Sequence, residues 1–251
     1  MKKILFAASV CLFTGNLFAQ VDTTAKPALV VSEKPTQPKK KYNLSNRAND
    51  HLLLQLGSTT WMGAPDSIQT RGFSKSVNAY FMLDFPFKTT QKLSAAVGLG
   101  VGSDHIILDN EAVADVRGKT ATMRFYQLDT AASTIKKSKV ATAYLEVPVE
   151  LRYVSKPDKS DKSFKAALGL KVGTMIKGGT RTRLTDPTSS AGYILKQSSK
   201  NYFNTTRIAG TARIGYGHFT LFGSYQFTGL LKTGAGPQLK PFTVGLSFGG
   251  L

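Results

Sequence analysis

YLEVPVELRY, residues 144–153, is the stretch whose reading decides the fold. Successive side chains on an extended strand point to opposite faces. Leu145, Val147, Val149, Leu151 and Tyr153 therefore line one side, and Tyr144, Glu146, Pro148, Glu150 and Arg152 the other. One face is apolar enough for a protein core or for lipid; the other carries charge. A soluble sheet with one wet face and a membrane barrel with one lipid face both fit this pattern. The surrounding chain separates them.

The same alternation recurs on both sides of this segment. Residues 51–61 set Leu52, Leu54 and Leu56 against His51, Gln55, Gly57 and Thr59, and 77–87 set Val77, Ala79, Phe81, Leu83 and Phe85 against Asn78, Tyr80, Met82 and Asp84. Residues 93–108 oppose Leu93, Ala95, Val97, Leu99 and Val101 to Ser94, Ala96, Gly98, Gly100 and Gly102. Comparable segments follow at 164–176, 205–216, 219–228 and 241–251, with Phe222 an aromatic intruder on a face of small residues. Each fits a half-polar strand better than a helix. With 144–153 this makes eight strands, an even number as closure of a bacterial barrel requires.

The connections discriminate more sharply. Those at 88–92, 155–163 and 217–218 are short, whereas those at 62–76, 109–139, 177–204 and 229–240 are long and polar. Strict alternation of short turns and long loops is the habit of transmembrane barrels, with short turns in the periplasm and long loops outside. The alternation in 120–128, TATMRFYQL, points to a hairpin above the membrane within the second long loop. Traced through an up-and-down topology, Phe85, Phe87, Tyr153, Phe164, Tyr216, Phe219 and Phe248 share one level at the short-turn end, as an interfacial aromatic girdle predicts. Tyr225, Phe227 and Phe242 fall toward the other interface.

The N-terminus agrees with export. Lys2 and Lys3 precede an apolar run at 4–13 and a small-residue site ending at Ala19, which reads as a secretory signal peptide over 1–19. Cys11, the one cysteine of the 251 residues, lies inside that run, so the mature chain has no disulfide and no thiolate chemistry. Residues 20–49 hold Pro27, Pro35, Pro38 and the run Lys39-Lys40-Lys41, and read as a disordered, basic periplasmic tail. The barrel domain is expected over 50–251. After residue 20 no apolar run approaches the ~20 residues of a spanning helix. The net charge of +18 becomes +16 when Lys2 and Lys3 leave with the leader. Such an excess suits polyanions, and export argues against nucleic acid.

If the apolar faces meet lipid, Asp84, Glu146, Glu150, Arg152, Lys165, Lys171, Arg207 and Arg213 point inward. An eight-stranded barrel is just wide enough for side chains to fill, and buried charges must pair. A network is expected that joins Glu146 and Glu150 to Arg152 and to neighbouring bases, Lys165 and Lys171 being the nearest candidates. Inward glycines at 98, 100, 102, 169, 173 and 215 leave room for long side chains crossing the lumen. Pro148 cannot donate to a ladder, so a bulge or a missing ladder bond is expected there.

Catalysis has thin support. Ser103-Asp104-His105 invites thoughts of a triad, but adjacent strand residues face opposite ways, so Asp104 cannot orient His105. No His/Asp/Glu cluster has metal-ligand spacing. The expectation is a protein without catalytic residues, metal or cofactor, with His105 the residue to test if it is an enzyme after all. The outer loops are basic: Arg117 and Lys119 in the second, Arg181 and Arg183 in the third, accompanied by Lys136, Lys137, Lys139, Lys177 and Lys196. These are candidate contacts for phosphate or another polyanion.

YLEVPVELRY, together with the leader, the GLGVGSD strand at 98–104 and the terminal PFTVGLSFGGL, resembles the outer-membrane β-barrel domain family (PorT-like) widespread in Bacteroidetes-type bacteria. The resemblance covers roughly residues 50–251. It implies an eight-stranded OmpA/OmpX-like barrel and no catalytic residues, and one branch of the family is linked to protein secretion. The expected fold is thus an all-β, eight-stranded antiparallel up-and-down transmembrane barrel with a disordered N-terminal tail, exported to the outer membrane. The expected role is structural or interactive, within an envelope or secretion assembly, with outer-membrane lipid and lipopolysaccharide as neighbours. A narrow ion or solute channel and a lipid-modifying enzyme are the alternatives.

Overall fold

A computed structural model describes residues 51–249, apart from short breaks at 67, 69, 71–72, 109–111, 119, 128–133 and 186–190. The leader read at 1–19 and the tail at 20–49 lie outside the described residues. Among those described, the strands are β1 (Leu52–Met62), β2 (Lys75–Pro86), β3 (Leu93–Leu108), β4 (Ala112–Asp115), β5 (Arg124–Gln127), β6 (Thr134–Val154), β7 (Phe164–Thr185), β8 (Gly192–Ser198), β9 (Thr206–Tyr216), β10 (Phe219–Gln226) and β11 (Lys240–Gly249). The hydrogen-bonded order β6-β3-β2-β1-β11-β10-β9-β7 closes through a β6–β7 seam, giving an eight-stranded barrel. Every barrel pairing is antiparallel. β4 and β5 form a separate hairpin, and β8 adds to the far half of β7.

The barrel is inside out relative to a soluble protein. Leu168 is 67% exposed and Leu246 61%, while Glu146 is 0% and Arg152 2% exposed. At about 25 cal/mol per Å² of apolar surface, a wall of Leu, Val and Phe facing water would oppose folding, so an apolar solvent must cover it. Among the described residues no helix is long and apolar enough to cross a membrane. The wall itself must do so. Phe85, Tyr153, Phe164, Tyr216, Phe219 and Phe248 are exposed near the short turns, where Leu93 pairs with Tyr153, Phe164 with Tyr216 and Phe219 with both Tyr216 and Phe248. Phe222 turns inward because it fills the space left by the paired glycines Gly57 and Gly245: a Cβ on Gly57 would lie 3.1 Å from its ring.

Pro148 marks a lapse in the β3–β6 ladder. Pairing stops at Val97–Val149 and resumes in the same register at Gly100–Glu146. On the other side Pro148 pairs with Lys171 in an unbroken run. The ring projects inward toward Gly98, where a Cβ would lie 3.2 Å from it. Proline thus withholds its missing N–H from one neighbour, and glycine makes room for its ring.

Two expectations about the long connections need correction. β6 begins at Thr134 and β7 runs to Thr185, so much of the second and third long connections is strand that continues beyond the apolar band. The cause is pairing: these two strands hold each other over their whole length, and β8 pairs with the end of β7. The loops are also not uniformly polar, since Tyr202, Phe203, Leu230, Leu231 and Leu239 are buried.

Val149 faces outward on β6 near the middle of its apolar stretch between Ala143 and Tyr153. Val149→Arg is expected to cost about 2–4 kcal/mol, as for other cations at the midplane of a barrel wall. Reversible urea unfolding in phospholipid vesicles measures it, and a cost near zero would mean that this face does not meet lipid.

Candidate functional site

The lumen holds two linked charge clusters, each built on a glutamate of β6. Glu146 Oε1 lies 3.0 Å from Arg207 Nη1, which is also 3.0 Å from Asp104 Oδ2. Lys171 Nζ stands 3.7 Å from Glu146 Oε2. The Tyr80 hydroxyl donates to that same oxygen at 2.5 Å and accepts from Lys171 at 3.3 Å. Deeper toward the short turns, Glu150 Oε2 receives Arg213 Nη2 at 2.5 Å and Arg152 Nε at 3.1 Å. Arg152 Nη1 reaches Asp84 at 3.7 Å.

Sheet register explains why the glutamates fit. Glu146 sits between Gly100 of β3 and Gly173 of β7, and Glu150 between Ala96 and Gly169. A Cβ at Gly102 would come within 2.9 Å of Glu146 Oε2, one at Gly173 within 2.8 Å of its Cγ, and one at Gly169 within 2.8 Å of the Glu150 Cγ. Small neighbours leave the carboxylates free to cross the lumen to Arg207 on β9 and Arg213, also on β9. A water-poor interior makes such pairing obligatory: each ion left alone would carry several kcal/mol of desolvation.

Of the residues read from sequence, Asp84, Glu146, Glu150, Arg152, Lys171, Arg207 and Arg213 come together in these contacts. Lys165 is buried on the rung of Val154 and Gly215, nearer the short turns. Asp104, Tyr80 and Tyr144 also belong to the site. Their parity already placed them on inward faces; what it could not supply was their height relative to Glu146, which depends on strand stagger. Ser103, Asp104 and His105 do not assemble as a triad. Asp104 points into the lumen onto Arg207, whereas Ser103 donates to the Thr142 carbonyl at 3.3 Å and His105 lies on the outer wall. Among the described residues no group of three or more His, Cys, Asp or Glu is placed to hold a metal ion.

Above the charges lies an apolar lid that the sequence reading missed. Trp61, Ile68, Ile106, Met175, Tyr202, Phe203, Leu230, Leu231 and Leu239 form one buried cluster with Ala114, Val116 and Met123 of the β4–β5 region. Backbone bonds stitch the loops together: Met123 N–H to Ala235 O at 2.8 Å, Asn204 to Leu230 at 2.9 Å, and Lys232 to Tyr202 at 2.9 Å. The Tyr202 hydroxyl lies 2.5 Å from the Gly118 carbonyl. Tyr144 belongs to the lid and holds the Arg207 guanidinium 4.9 Å from its ring centroid, so lid and network are one packed column. The pairs Tyr202-Phe203 and Leu230-Leu231, set in polar loops, were the available signal.

The outer cations separate. Arg181 and Arg183 face outward on β7, directly across from Lys139 and Lys137 of β6, around a cleft of about 240 Å³. Arg117 is exposed next to the β4–β5 hairpin, and Lys119 lies outside the described residues.

A closed barrel with an apolar wall and a charged, filled lumen is the geometry of an outer-membrane protein. The outer membrane protein beta-barrel domain family matches residues 39–233. The chain belongs to that family. Comparison with curated proteins finds no match. The matched region stops before β11, yet β11 pairs with both β10 and β1, so the barrel extends through Gly249. In such barrels the short turns are periplasmic and the long loops external. The lid therefore closes the outer mouth.

Glu146→Gln removes the charge shared by Arg207 and Lys171 and is expected to cost about 3–5 kcal/mol. Gly173→Val, which removes no charge, is expected to destabilise in the same direction by displacing the Glu146 side chain. Urea titrations read by heat-modifiable electrophoretic mobility measure both, and wild-type stability for either would contradict this packing.

Proposed function

We propose that this outer-membrane barrel is a sealed structural or interaction protein, a component of an envelope or secretion assembly that acts through its outer surface. The observation that carries this reading is the lumen: paired side chains fill it at mid-height, and Phe203, Leu231 and Leu239 cap it above with at most 3% exposure each. Solute flux has no open route past two such layers. The narrow-channel alternative requires both to move together.

An interaction role draws support from β8. It pairs with β7 on one side, and among the described residues no strand pairs with its other edge. Its Tyr193, Ile194 and Leu195 are all more than 40% exposed. A free apolar edge is a template for an added strand. The resemblance to a PorT-like family supports a secretion setting. The basic outer surface is read as facing lipopolysaccharide. No catalytic role is assigned: Asp104 is engaged by Arg207 and turned away from His105. Loss of a lipid modification in a His105→Ala strain would overturn that assignment.

Planar-bilayer recording of the full-length protein is expected to show no steady conductance, with openings appearing in Phe203→Gly/Leu231→Gly. Steady conductance of the unaltered protein would return the channel to first place. A photo-crosslinker at Ile194 is expected to capture a protein in native membranes, whereas capture of lipid alone would remove the partner from this edge.

A further inference from the structure

The outward faces of β6 and β7 carry an arrangement that folding alone does not favour. Lys139 pairs directly with Arg181 and Lys137 with Arg183, two like-charged rungs in succession. Like charges opposite each other on one sheet face destabilise it. Lys75 joins the field around Lys139, and Lys177 and Lys196 line an adjoining recess of about 500 Å³ that shares Arg181 with the cleft. None of these cations forms an ion pair among the described residues.

A register device creates this alignment. Below it, the outward residues of β7 are even-numbered: Phe164, Leu168, Leu170, Val172 and Ile176. The ladder shifts between Tyr144–Met175 and Ala143–Lys177, leaving Ile176 as an extra residue. Such a bulge reverses which positions face out. Thr180, Thr182 and Leu184 consequently turn inward, and Arg181 and Arg183 turn outward onto the two lysines. Were Ile176 taken into a regular ladder instead of bulging, both arginines would enter the lumen.

Height completes the case. At ~3.3 Å rise and ~40° tilt, a strand climbs roughly 2.5 Å per residue. Starting from Tyr153 in the periplasmic girdle, an apolar band of roughly 25 Å ends near Ala143. Lys139 and Arg181 stand about 10 Å beyond it, with Lys137 and Arg183 about 15 Å beyond. This is above the hydrocarbon, at the level of the phosphorylated sugars of a glycolipid leaflet. Arg forks match phosphate oxygens in pairs, and lysines add charge. The recess beside them offers the Ser103 and Ser198 hydroxyls, polar groups suited to a sugar.

The geometry points to a binding site for a phosphorylated glycolipid headgroup of the outer leaflet, held by Lys137, Lys139, Arg181 and Arg183. This rests on the reading that the basic surface faces lipopolysaccharide and assigns it one location. The cations meet the phosphates directly, so no bridging divalent ion is needed.

Full-length protein in detergent is titrated with lipopolysaccharide, with phosphatase-treated lipopolysaccharide and with inorganic pyrophosphate, each with and without chelator. Binding of the intact lipid is expected to survive the chelator. It should weaken at least roughly tenfold after dephosphorylation, in Arg181→Gln/Arg183→Gln, and in Lys137→Gln/Lys139→Gln, since charge-assisted contacts are lost in each. Heat-modifiable mobility verifies that the variants remain folded. Competition by pyrophosphate in excess would make the ligand a free phosphate and overturn the lipid assignment. Phosphate-dependent binding that both variants retain would overturn this site while leaving lipopolysaccharide contact elsewhere. No binding of intact lipid at all would sink both readings.

Discussion

Desolvation of charge in a lumen too narrow for bulk water is the constraint on which the rest of the structure depends. An inward-facing ion in an eight-stranded barrel has no solvent to fall back on, so it must meet a counter-ion on another strand. Glu146 meets Arg207, Lys171 and Tyr80, and Glu150 meets Arg213 and Arg152. Those contacts tie β2, β6, β7 and β9 across the interior, and Asp104 on Arg207 adds β3, where backbone ladders tie only neighbours. Glycines on adjacent rungs follow from the same need for space. Tyr144, stacked on Arg207, passes the constraint upward to the lid.

The wall and the lumen invert the usual roles of polar and apolar side chains, but the outer mouth restores them. There the loops leave the lipid band and water surrounds the barrel, so an ordinary apolar core forms inside the strand extensions. The two regimes meet at Tyr144 and Met175, the level at which the Ile176 bulge interrupts the β6–β7 register. Below that level alternation sorts side chains between lipid and ions. Above it, alternation sorts them between water and an apolar lid. The bulge at Ile176 therefore separates a spanning strand from an extracellular one, and by its change of parity sets Arg181 and Arg183 on the outside.

Much of this was legible from periodicity. The eight segments, the alternation of short and long connections, the aromatic level, and the inward facing of Glu146, Glu150, Arg207 and Arg213 all follow from a period of two and from where Gly, Pro and charge fall. Less legible were contacts between strands distant in sequence. Arg152 was the natural neighbour of both glutamates by proximity, but Glu146 instead takes Arg207, some sixty positions away, because stagger around a closed sheet decides which rungs share a height. The lid was hidden for a related reason: Phe203 and Leu231 meet only when two long loops fold over the same mouth.

What the sequence by itself determined is the assignment of side chains to faces, because that depends on one strand at a time and on the geometry of the peptide unit. It thereby determined the class of fold and which side chains enter the interior. Tertiary structure alone decided which charges pair, where the lid closes, and that Arg181 and Arg183 stand outside against Lys139 and Lys137. Those outcomes depend on register between strands, on a single bulged residue and on closure of the sheet upon itself. None of these is a property of any local stretch.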